Sequence, residues 1–549
     1  MACGCGCSEG KTPKGSYFIT TPIYYVNAQP HLGTAYSTVV ADVQARFRRL
    51  DGYDTFFLTG LDEHGQKVAD SAAAHDMTPQ EWCDSMVPAF KELWQELEIS
   101  NDDFIRTTQE RHERSVQHFW EVLKERGYIY KGNYEGWYCV PDETFFTETD
   151  VRHANEDYEE KGETPVCPDC RRPLVRISEQ SWFFKLSEFQ EPLLKMYANN
   201  PNFLEPEIRR NEVVSFIEGG LKDLSVTRTT FDWGIPLPFD TDHVTYVWFD
   251  ALINYLTAVG YGDPEAADTF AYRWPAQTHI VGKDITRFHC VIWPAMLMAA
   301  GLPVPEHVLA HGFLLVKNPV TGKGEKMSKS RGNAIAPREV INLLGVEGYR
   351  YYFMVDVAHG TDGAISFDRM AQVYNTDLAN RWGNLVSRTL NMCAKYFDGK
   401  TPARGCDFAQ RPSVLRDRAQ GIYERYATQM ANFSYGDAAA VVMELVSEAN
   451  NYIETAKPFS LAKDPEKAEE LAFVMWSLVE AIRIAAIFLS PFIPQASAEV
   501  LRRIGENPQI TCTLEEASEW GLFGGDTPVE KGEALFPRLD ESMLPHTAE

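Results

Sequence analysis

The sequence predicts an α/β protein whose open parallel sheet is divided by an insertion and followed by a bundle of α-helices. Strand-like and helix-like segments alternate in two parts of the chain, which is the pattern of a parallel sheet with crossover helices. Between these parts lie residues 129–233, which have a different sequence pattern and include "YCVPDE" and "CPDC". We interpret them as an insertion. After about residue 370 the strand signals end and long amphipathic segments replace them.

Length and composition indicate a soluble protein of several domains. The chain has 549 residues, of which 44% are hydrophobic and 24% charged. No apolar run is long enough to suggest a membrane span, and the Cys- and Gly-rich tail 1–14 lacks the apolar segment of a secretory signal, so we expect a cytoplasmic protein without a membrane partner. Eleven mostly scattered cysteines favour a reducing compartment. A net charge of −26 argues against wholesale coating of nucleic acid, although a local basic stripe can still bind a polyanion.

The first part of the sheet begins with "SYFITTPIYYVNAQPHLGTAYSTVVADVQARFRRLDGYD". Residues 17–21 predict a strand, and Pro22 and Pro30 bracket a loop. A helix should begin at Leu32 and end at Asp51-Gly52. Its apolar positions follow helical spacing: Ala35, Val39, Val43, Phe47 and Leu50.

Further strand and helix signals complete the predicted architecture. "DTFFLTG" leads into "LDEHGQK", "THIVG" leads into a helix, and "HVLAHGFLLV" is strand-like. In the C-terminal part, amphipathic spacing predicts helices over 372–397, 413–430, 434–456 and 467–489.

Polar clusters are expected at the carboxyl ends of the parallel strands, where open α/β sheets bind ligands. "PHLGT" places His31, Gly33 and Thr34 in the first turn of a helix, whose free N–H groups favour an anion. Far along the chain, "KMSKS" holds Lys326 and Lys329 in a cationic loop. Taken singly, these segments also fit an ordinary helix start and a solvated turn. Neither a Walker A pattern nor G-x-G-x-x-G spacing is present, which excludes a P-loop enzyme and a simple dehydrogenase.

Together these motifs resemble a known family. "HLGT" resembles the HIGH signature of class I aminoacyl-tRNA synthetases, and "KMSKS" is identical to their second signature. "TTPIYYVNAQPHLG", "TGLDEHGQK", "FDWGIPLP", "YVWFDALINY" and "GKDITRFHCVIWPAML" are similar to methionyl-tRNA synthetases, and the resemblance covers nearly everything after the tail. It implies a Rossmann-like catalytic domain (15–128 and 234–318), a connective insertion (129–233), a KMSKS loop and stem-contact region (319–371) and an α-helical anticodon-binding domain (372–549).

The resemblance also implies the reaction. L-methionine and ATP, with Mg²⁺, would form methionyl-adenylate and pyrophosphate, and methionine would pass to the 3′-terminal adenosine of initiator and elongator tRNA(Met). Such chemistry depends on positioned cations and N–H donors. The implied catalytic residues are His31, Lys326 and Lys329, and Thr34 stands where the family usually has a second histidine. The implied ATP-binding residues are His31, Gly33, Thr34, Gly282, Asp284, His311, Gly312, Lys326 and Lys329.

The methionine side chain requires a shaped apolar pocket with aromatic contacts to sulfur. The family match assigns Asp62 to the α-amino group, and Leu252 replaces a residue that is proline in some relatives. Trp248, Leu252 and Tyr255 have helical spacing and should share a face, although core packing explains such a stripe as well. The side-chain pocket would comprise Ile23, Tyr25, Trp248, Leu252, Tyr255, Phe288 and His289.

Two cysteine groups raise the question of metal. By resemblance, Cys139, Asp142, Cys167 and Cys170 match a zinc knuckle with one ligand changed, and carboxylate can ligate zinc. The alternative is a knuckle that packs without metal. Cys3, Cys5 and Cys7 form either a soft-metal or redox patch or a tail without a role.

A basic helix face is expected to contact tRNA. In 375–397 one face predicts a buried stripe: Leu378, Trp382, Leu385, Thr389, Met392 and Tyr396. Another face carries Arg381, Asn384, Arg388, Asn391 and Lys395, which suits base contacts but also a solvated surface. By resemblance Asn384 and Arg388 read the anticodon, and Phe459 replaces the family's stacking tryptophan.

Four rival interpretations remain open. A synthetase for valine, isoleucine or leucine generally has a larger insertion, and a cysteine-specific relative would hold zinc in its amino-acid pocket. A catalytically silent tRNA-binding paralogue is favoured only by Thr34, and a nucleotidyltransferase without tRNA leaves the helical domain unexplained. We see no segment similar to the dimerisation module of some relatives and expect a monomer.

Overall fold

A computed structural model describes most of the chain. The described residues are 12–140, 144–146, 148–155, 158, 162, 164–168, 170–318, 321–327, 333–358 and 360–544.

A six-stranded parallel sheet forms the centre of the catalytic part, in the order β3-β2-β1-β12-β13-β7. From β1 the chain builds outwards to β3 and later returns to the other side of β1 at β12. This change of direction places a ligand crevice at the carboxyl ends of β1 and β12. The strands are β1 (Ser16–Tyr25), β2 (Asp54–Asp62), β3 (Asp103–Arg106), β7 (Leu204–Glu205), β12 (Thr278–Gly282) and β13 (Val308–His311).

Alternating side chains of β1 supply two separate cores. Tyr17 and Ile19 pack on the side that the C-terminal helices share, whereas Phe18 packs on the side that the insertion shares. The predicted strand 17–21 is longer in the structure, because β1 continues through Pro22 to Tyr25. The register with β2 shifts between Thr20 and Ile23, and this irregularity accommodates a proline that has no N–H to donate.

Helices cover both faces of the sheet. Helix α1 starts at Leu32 as predicted, and it ends before Gly52, whose φ of 94° suits glycine. The helices up to residue 300 are α1 (Leu32–Leu50), α2 (Gln66–Ala73), α3 (Pro79–Glu96), α4 (Glu110–Glu125), α5 (Glu148–Ala154), α6 (Gln190–Asn199), α7 (Glu207–Glu218), α8 (Val247–Leu252), α9 (Asn254–Thr257), α10 (Ala267–Arg273) and α11 (Trp293–Ala300).

Three smaller sheets flank the central one. The insertion contains a sheet ordered β5-β4-β6-β8. A second sheet, ordered β10-β11-β9, joins the end of the insertion to the chain that follows it, and the third is ordered β15-β14-β16. The predicted strand "HVLAHGFLLV" is two strands, because the chain leaves the central sheet after β13 and enters the third sheet at β14. The additional strands are β4 (Ile129–Cys139), β5 (Thr144–Phe146), β6 (Val175–Phe184), β8 (Leu224–Ser225), β9 (Thr227–Arg228), β10 (Pro236–Leu237), β11 (Asp240–Thr245), β14 (Leu314–Lys317), β15 (Gly324–Lys326) and β16 (Gly363–Ile365).

The C-terminal part is helical, as predicted. The segment predicted as one helix over 413–430 is two helices, because Gly421 adopts a φ of 67° between them. A π-helical stretch, Tyr374–Gly383, precedes the helix that carries the basic face. These helices are α12 (Pro337–Val355), α13 (Phe367–Val373), α14 (Asn384–Tyr396), α15 (Val414–Ala419), α16 (Ile422–Ala431), α17 (Tyr435–Ala456), α18 (Pro458–Leu461), α19 (Ala468–Leu489), α20 (Pro494–Arg503) and α21 (Leu514–Ala517).

One helical segment among the described residues, Pro465–Leu489, is long and apolar enough to cross a membrane by length and composition. The expectation that no apolar run reaches that length is therefore corrected. Of its apolar window, 94% is buried inside the protein, which is the position of a core helix.

Candidate functional site

The start of α1 is built around His31. The His31 Nδ1 atom accepts a hydrogen bond from the Thr34 backbone N–H at 3.1 Å, and the Thr34 hydroxyl lies 3.2 Å from the same nitrogen. Since Nδ1 accepts, the neutral ring carries its proton on Nε2. Thr34 is buried and supports His31. Its hydroxyl therefore does not take over the positive charge of the second histidine that the family usually has here. A side chain at Gly33 would approach His31 to 3.1 Å, which explains the glycine between them.

The neighbouring strand ends join the same site. Gly282 and His311 are register partners at the ends of β12 and β13. His311 donates from Nδ1 to the Gly312 carbonyl at 2.9 Å, and its Nε2 accepts from the Ser37 hydroxyl at 2.6 Å, so β13 supports the first turns of α1. Burial lowers the pKa of His311, and its ring is therefore neutral at neutral pH.

The start of the KMSKS loop is held by the small sheet of β14, β15 and β16. Lys326 is the last residue of β15 and pairs with Leu315 of β14, and its exposed ammonium lies 5.2 Å from the Phe313 ring centroid. Lys283 lies 4.5 Å from the same centroid. Lys329 lies outside the described residues, as do the Cys3, Cys5 and Cys7 tail and Asp142.

The residues predicted for the methionine side chain form an aromatic cluster. The Trp248 and Phe288 rings stack with centroids 3.9 Å apart, and Tyr25 meets Trp248 edge-on at 6.4 Å. Ile23, Leu252 and Tyr255 belong to the same apolar cluster. The predicted single helix face is two short helices, α8 and α9, but both contribute to this cluster.

His289 closes one side of the cluster as a neutral ring. It donates from Nδ1 to the Ile285 carbonyl at 3.2 Å, and its Nε2 accepts from the Tyr255 hydroxyl at 2.8 Å. Burial lowers the pKa of His289 to about 4, although the bond to Ile285 opposes this shift. Asp62 ends β2 opposite Tyr25 in the strand register and is 3% exposed, so a carboxylate borders the apolar cluster.

Comparisons with known proteins agree with this geometry. A family model described as tRNA synthetases class I (M) matches residues 17–390, and one described as anticodon binding domain of methionyl tRNA ligase matches residues 402–543. The methionine–tRNA ligase of Thermotoga maritima is 45% identical over 530 residues, covering 95% of this chain and 80% of that protein. That of Streptomyces coelicolor is 43% identical and covers 96% of this chain and 97% of that protein. The chain belongs to the methionyl-tRNA synthetases.

A solved structure of the family has the same fold. The Mycobacterium tuberculosis methionyl-tRNA synthetase in complex with methionyl-adenylate matches with a TM-score of 0.87 and 39% identity, over 95% of this chain and 100% of that chain. Its apo form matches with a TM-score of 0.82 and 36% identity, over 96% and 98% of the two chains. The family rules out the editing and cysteine-specific relatives and the nucleotidyltransferase.

The predicted basic face of this synthetase lies between α14 and α17. The Arg388 guanidinium donates to Glu454 at 2.6 Å, and the Asn384 amide donates to Asn450 at 3.3 Å. Phe459 follows the end of α17 and is 43% exposed. The predicted stripe is buried or partly buried, and the polar residues of the basic face are exposed or partly buried.

The described cysteines of the insertion lie close together. The sulfur atoms of Cys139, Cys167 and Cys170 lie within 4.8 Å of one another, and those of Cys139 and Cys170 are 3.5 Å apart. Cys139 and Cys167 are buried.

A buried network behind the pocket was not predicted from the sequence. Asp250 lies 2.7 Å from His64 Nδ1 and 2.6 Å from His112 Nε2, and Glu63 pairs with Arg106 at 2.7 Å. An aspartate within the apolar segment "YVWFDALINY" was the available signal, because such a residue needs buried partners.

Proposed function

We propose how this synthetase carries out the reaction of its family, in which methionine and ATP form methionyl-adenylate and the methionyl group then passes to tRNA(Met). The aromatic cluster of Trp248, Phe288 and Tyr255, with neutral His289 beside it, is the observation that carries the proposal. A thioether offers little to hydrogen-bond, so an uncharged aromatic pocket suits it and disfavours charged side chains. The Asp62 carboxylate at its border receives the α-amino group, and Ile23, Tyr25 and Leu252 complete the pocket.

ATP binds over the start of α1. His31 directs its Nε2–H towards the phosphates, and the α1 N–H groups and dipole favour the anion. Gly33, Gly282 and Gly312 allow close approach, Asp284 is exposed for polar contact, and Thr34 and His311 hold the α1 turn. Lys326 and Lys329 neutralise charge that grows on the leaving pyrophosphate. Mg²⁺, when bound with ATP, supplies further neutralisation of the phosphates.

Exchange of labelled pyrophosphate into ATP tests this proposal. The purified protein should support exchange with methionine and its close analogues and not with valine, isoleucine, leucine or cysteine. Lys329→Ala should slow adenylate formation by about 10²–10³-fold, the usual effect of losing one transition-state contact. Lys323→Ala, an exposed lysine of the same hairpin, is the matched control. Equal exchange by the two variants would remove Lys329 from the mechanism.

The face between α14 and α17 recognises the anticodon. Asn384 and Arg388 contact base edges, and Phe459 stacks on a base of the single-stranded loop. The exposure of Phe459 and the surface position of Arg388 support this assignment.

The three cysteines of the insertion suit a structural zinc ion. Sulfur atoms on one tetrahedral zinc, each bonded at about 2.3 Å, lie roughly 3.8 Å apart, which agrees with the observed cluster. Cys139, Cys167 and Cys170 would hold the ion, Asp142 is the proposed fourth ligand, and the ion would cross-link the insertion. Elemental analysis of protein purified without chelator should find one zinc per chain and less in Cys170→Ser. Absence of stoichiometric zinc would contradict the proposed zinc site and show that the knuckle packs without metal.

We also propose that the enzyme is a cytoplasmic monomer. No disulfide joins the cysteines that the structure describes, which suits a reducing compartment. Sedimentation over a range of protein concentrations should give a constant mass of one chain, and a concentration-independent dimer would overturn the monomer.

A further inference from the structure

Asp250 is a fully buried carboxylate held between two imidazoles. It is 0% exposed, and its two oxygens lie 2.7 Å from His64 Nδ1 and 2.6 Å from His112 Nε2. The other His112 nitrogen lies 3.1 Å from the Thr257 hydroxyl. Burial alone would raise the pKa of Asp250, but His64 and His112 outweigh this effect and hold it below its ordinary value.

This carboxylate joins two walls of the methionine pocket. His64 lies two residues after Asp62, the proposed partner of the α-amino group. Asp250 lies two residues after Trp248 on α8, which supplies the aromatic wall. The His64–Asp250 bond therefore ties the end of β2 to α8, and His112 fixes the same carboxylate to α4.

The region around His64 is itself held at several points. Trp233 donates its indole N–H to the Glu63 carbonyl at 2.6 Å and meets the His64 ring edge-on at 5.5 Å. Glu63 pairs with Arg106 at 2.7 Å. A buried ionic group is weak evidence for stability, because apolar residues often pack as well. Its directional hydrogen bonds instead fix orientation.

We propose that Asp250, through His64 and His112, is a positioning residue for methionine: it sets the separation between the Asp62 carboxylate and the Trp248 wall. This inference rests on the methionine pocket of the proposed function. It requires no contact between Asp250 and the substrate, and it predicts an effect on methionine binding with little effect on ATP binding.

Pyrophosphate exchange with methionine and ATP varied separately provides the test. His64→Ala and His112→Ala should each raise the KM for methionine about tenfold or more, the scale of one lost hydrogen bond to a charged group, and the KM for ATP less than about twofold. His118→Ala, an exposed histidine of the same helix as His112, is the matched control and should change neither. Equal changes in both KM values, or no change in either, would overturn the positioning role.

Atom-matched substitutions keep the test decisive if the alanine variants fold poorly. The side-chain nitrogen of asparagine occupies the position of His Nδ1, and that of glutamine the position of His Nε2. His64→Asn and His112→Gln should therefore retain a methionine KM near the parental value, whereas His64→Gln and His112→Asn should not. Equal methionine KM values within each pair would overturn the inference.

Trp248→Ala separates this inference from the proposal on which it rests. If Trp248→Ala leaves the methionine KM unchanged, the pocket assignment itself is wrong, and the positioning role of Asp250 is then wrong as well. If Trp248→Ala raises that KM but the histidine variants do not, only the positioning role is wrong.

Discussion

The proposed methionine pocket and the proposed anticodon face are organised in opposite ways. In the pocket, Trp248 stacks on Phe288 at 3.9 Å, and fully buried Asp250 lies behind them with both oxygens bonded. On the anticodon face, Arg388 is a surface residue whose partner Glu454 is 60% exposed, and Phe459 is 43% exposed. The side chains of the pocket pack and bond with one another, whereas those of the anticodon face are exposed to solvent.

This difference follows from the two ligands. A small apolar side chain offers mainly shape, so its pocket must be rigid before the ligand arrives. A single-stranded anticodon offers splayed bases and charge, which exposed aromatic and arginine side chains contact after giving up weaker partners. Breaking an exposed ion pair costs little, whereas breaking a buried one costs several kcal/mol. We therefore expect substitutions to act strongly in the interior and weakly on the helical surface.

The largest expected effect lies at the junction between the part of the chain that holds the central sheet and the C-terminal helices. Arg350 on α12 is 0% exposed and bonds Asp42 of α1 at 2.7 Å and the carbonyls of Pro491 and Phe492 between α19 and α20. Arg350→Met should lower the free energy of unfolding by about 3 kcal/mol, because Asp42 and these carbonyls lose a buried partner. Urea unfolding at pH 7 measures the loss.

Arg338→Met is the matched control for this prediction. Arg338 lies in the segment of α12 before the break at Gly345, where it is 62% exposed and pairs with Glu92 and Glu96 on the surface. Its replacement should cost less than about 1 kcal/mol. Equal losses for Arg338→Met and Arg350→Met would contradict the distinction between interior and surface pairs.

Glu347, one turn before Arg350, gives the junction a pH dependence. Burial raises the pKa of Glu347 to about 7, although N–H groups at the start of α20 and Arg350 oppose the shift. An ordinary glutamate in the unfolded chain has a pKa of about 4.3, so the folded state binds the proton more tightly. The stability from this group is present below the unfolded pKa and is lost as pH rises towards about 7.

Glu347→Gln should remove this loss, because glutamine keeps an acceptor oxygen and carries no charge. Relative to the parent, the variant should gain on the order of 1–3 kcal/mol of stability between pH 5 and pH 8. Urea midpoints over that range measure the gain. A stability difference that stays constant with pH would show that Glu347 does not titrate there.

Sequence periodicity predicted the elements well, because burial on one face repeats along a helix or strand. The α1 stripe and the buried face of 375–397 are examples. The continuation of β1 through Pro22 was not predicted, because pairing in the sheet overrode the proline signal. Gly421 alone did not reveal a break between α15 and α16, since a glycine within a helical pattern is tolerated.

Contacts between distant residues could not be predicted from local pattern. Asp250 and His64 are 186 positions apart, and only the fold brings them together. Family resemblance located the pocket residues, but it did not show that the helix bearing Trp248 and Tyr255 breaks at Ile253. The pairing of Arg388 with Glu454, 66 positions later, likewise required the structure.

On the anticodon face, Arg388→Ala and Phe459→Ala should each weaken charging of tRNA that carries the CAU anticodon. Each should cost on the order of 1–3 kcal/mol, the range for a lost bidentate base contact or base–aromatic stack. Pyrophosphate exchange should be nearly unchanged, because that reaction needs no anticodon. Parental charging rates at subsaturating tRNA would remove these residues from anticodon recognition.

The smallest effect is expected at Glu454, and its direction is opposite. In the free enzyme Glu454 holds Arg388 at 2.6 Å, so bound tRNA must displace this carboxylate. Glu454→Gln should lower the KM for tRNA about two- to threefold at low salt, the scale of an exposed ion pair, and the gain should shrink as salt rises. Glu444 lies on α17 like Glu454, but it pairs with Arg418 and Arg425. Glu444→Gln should therefore leave the KM for tRNA nearly unchanged. If both variants lower it equally, the effect reflects net charge near a polyanion, and Arg388 does not exchange Glu454 for the anticodon.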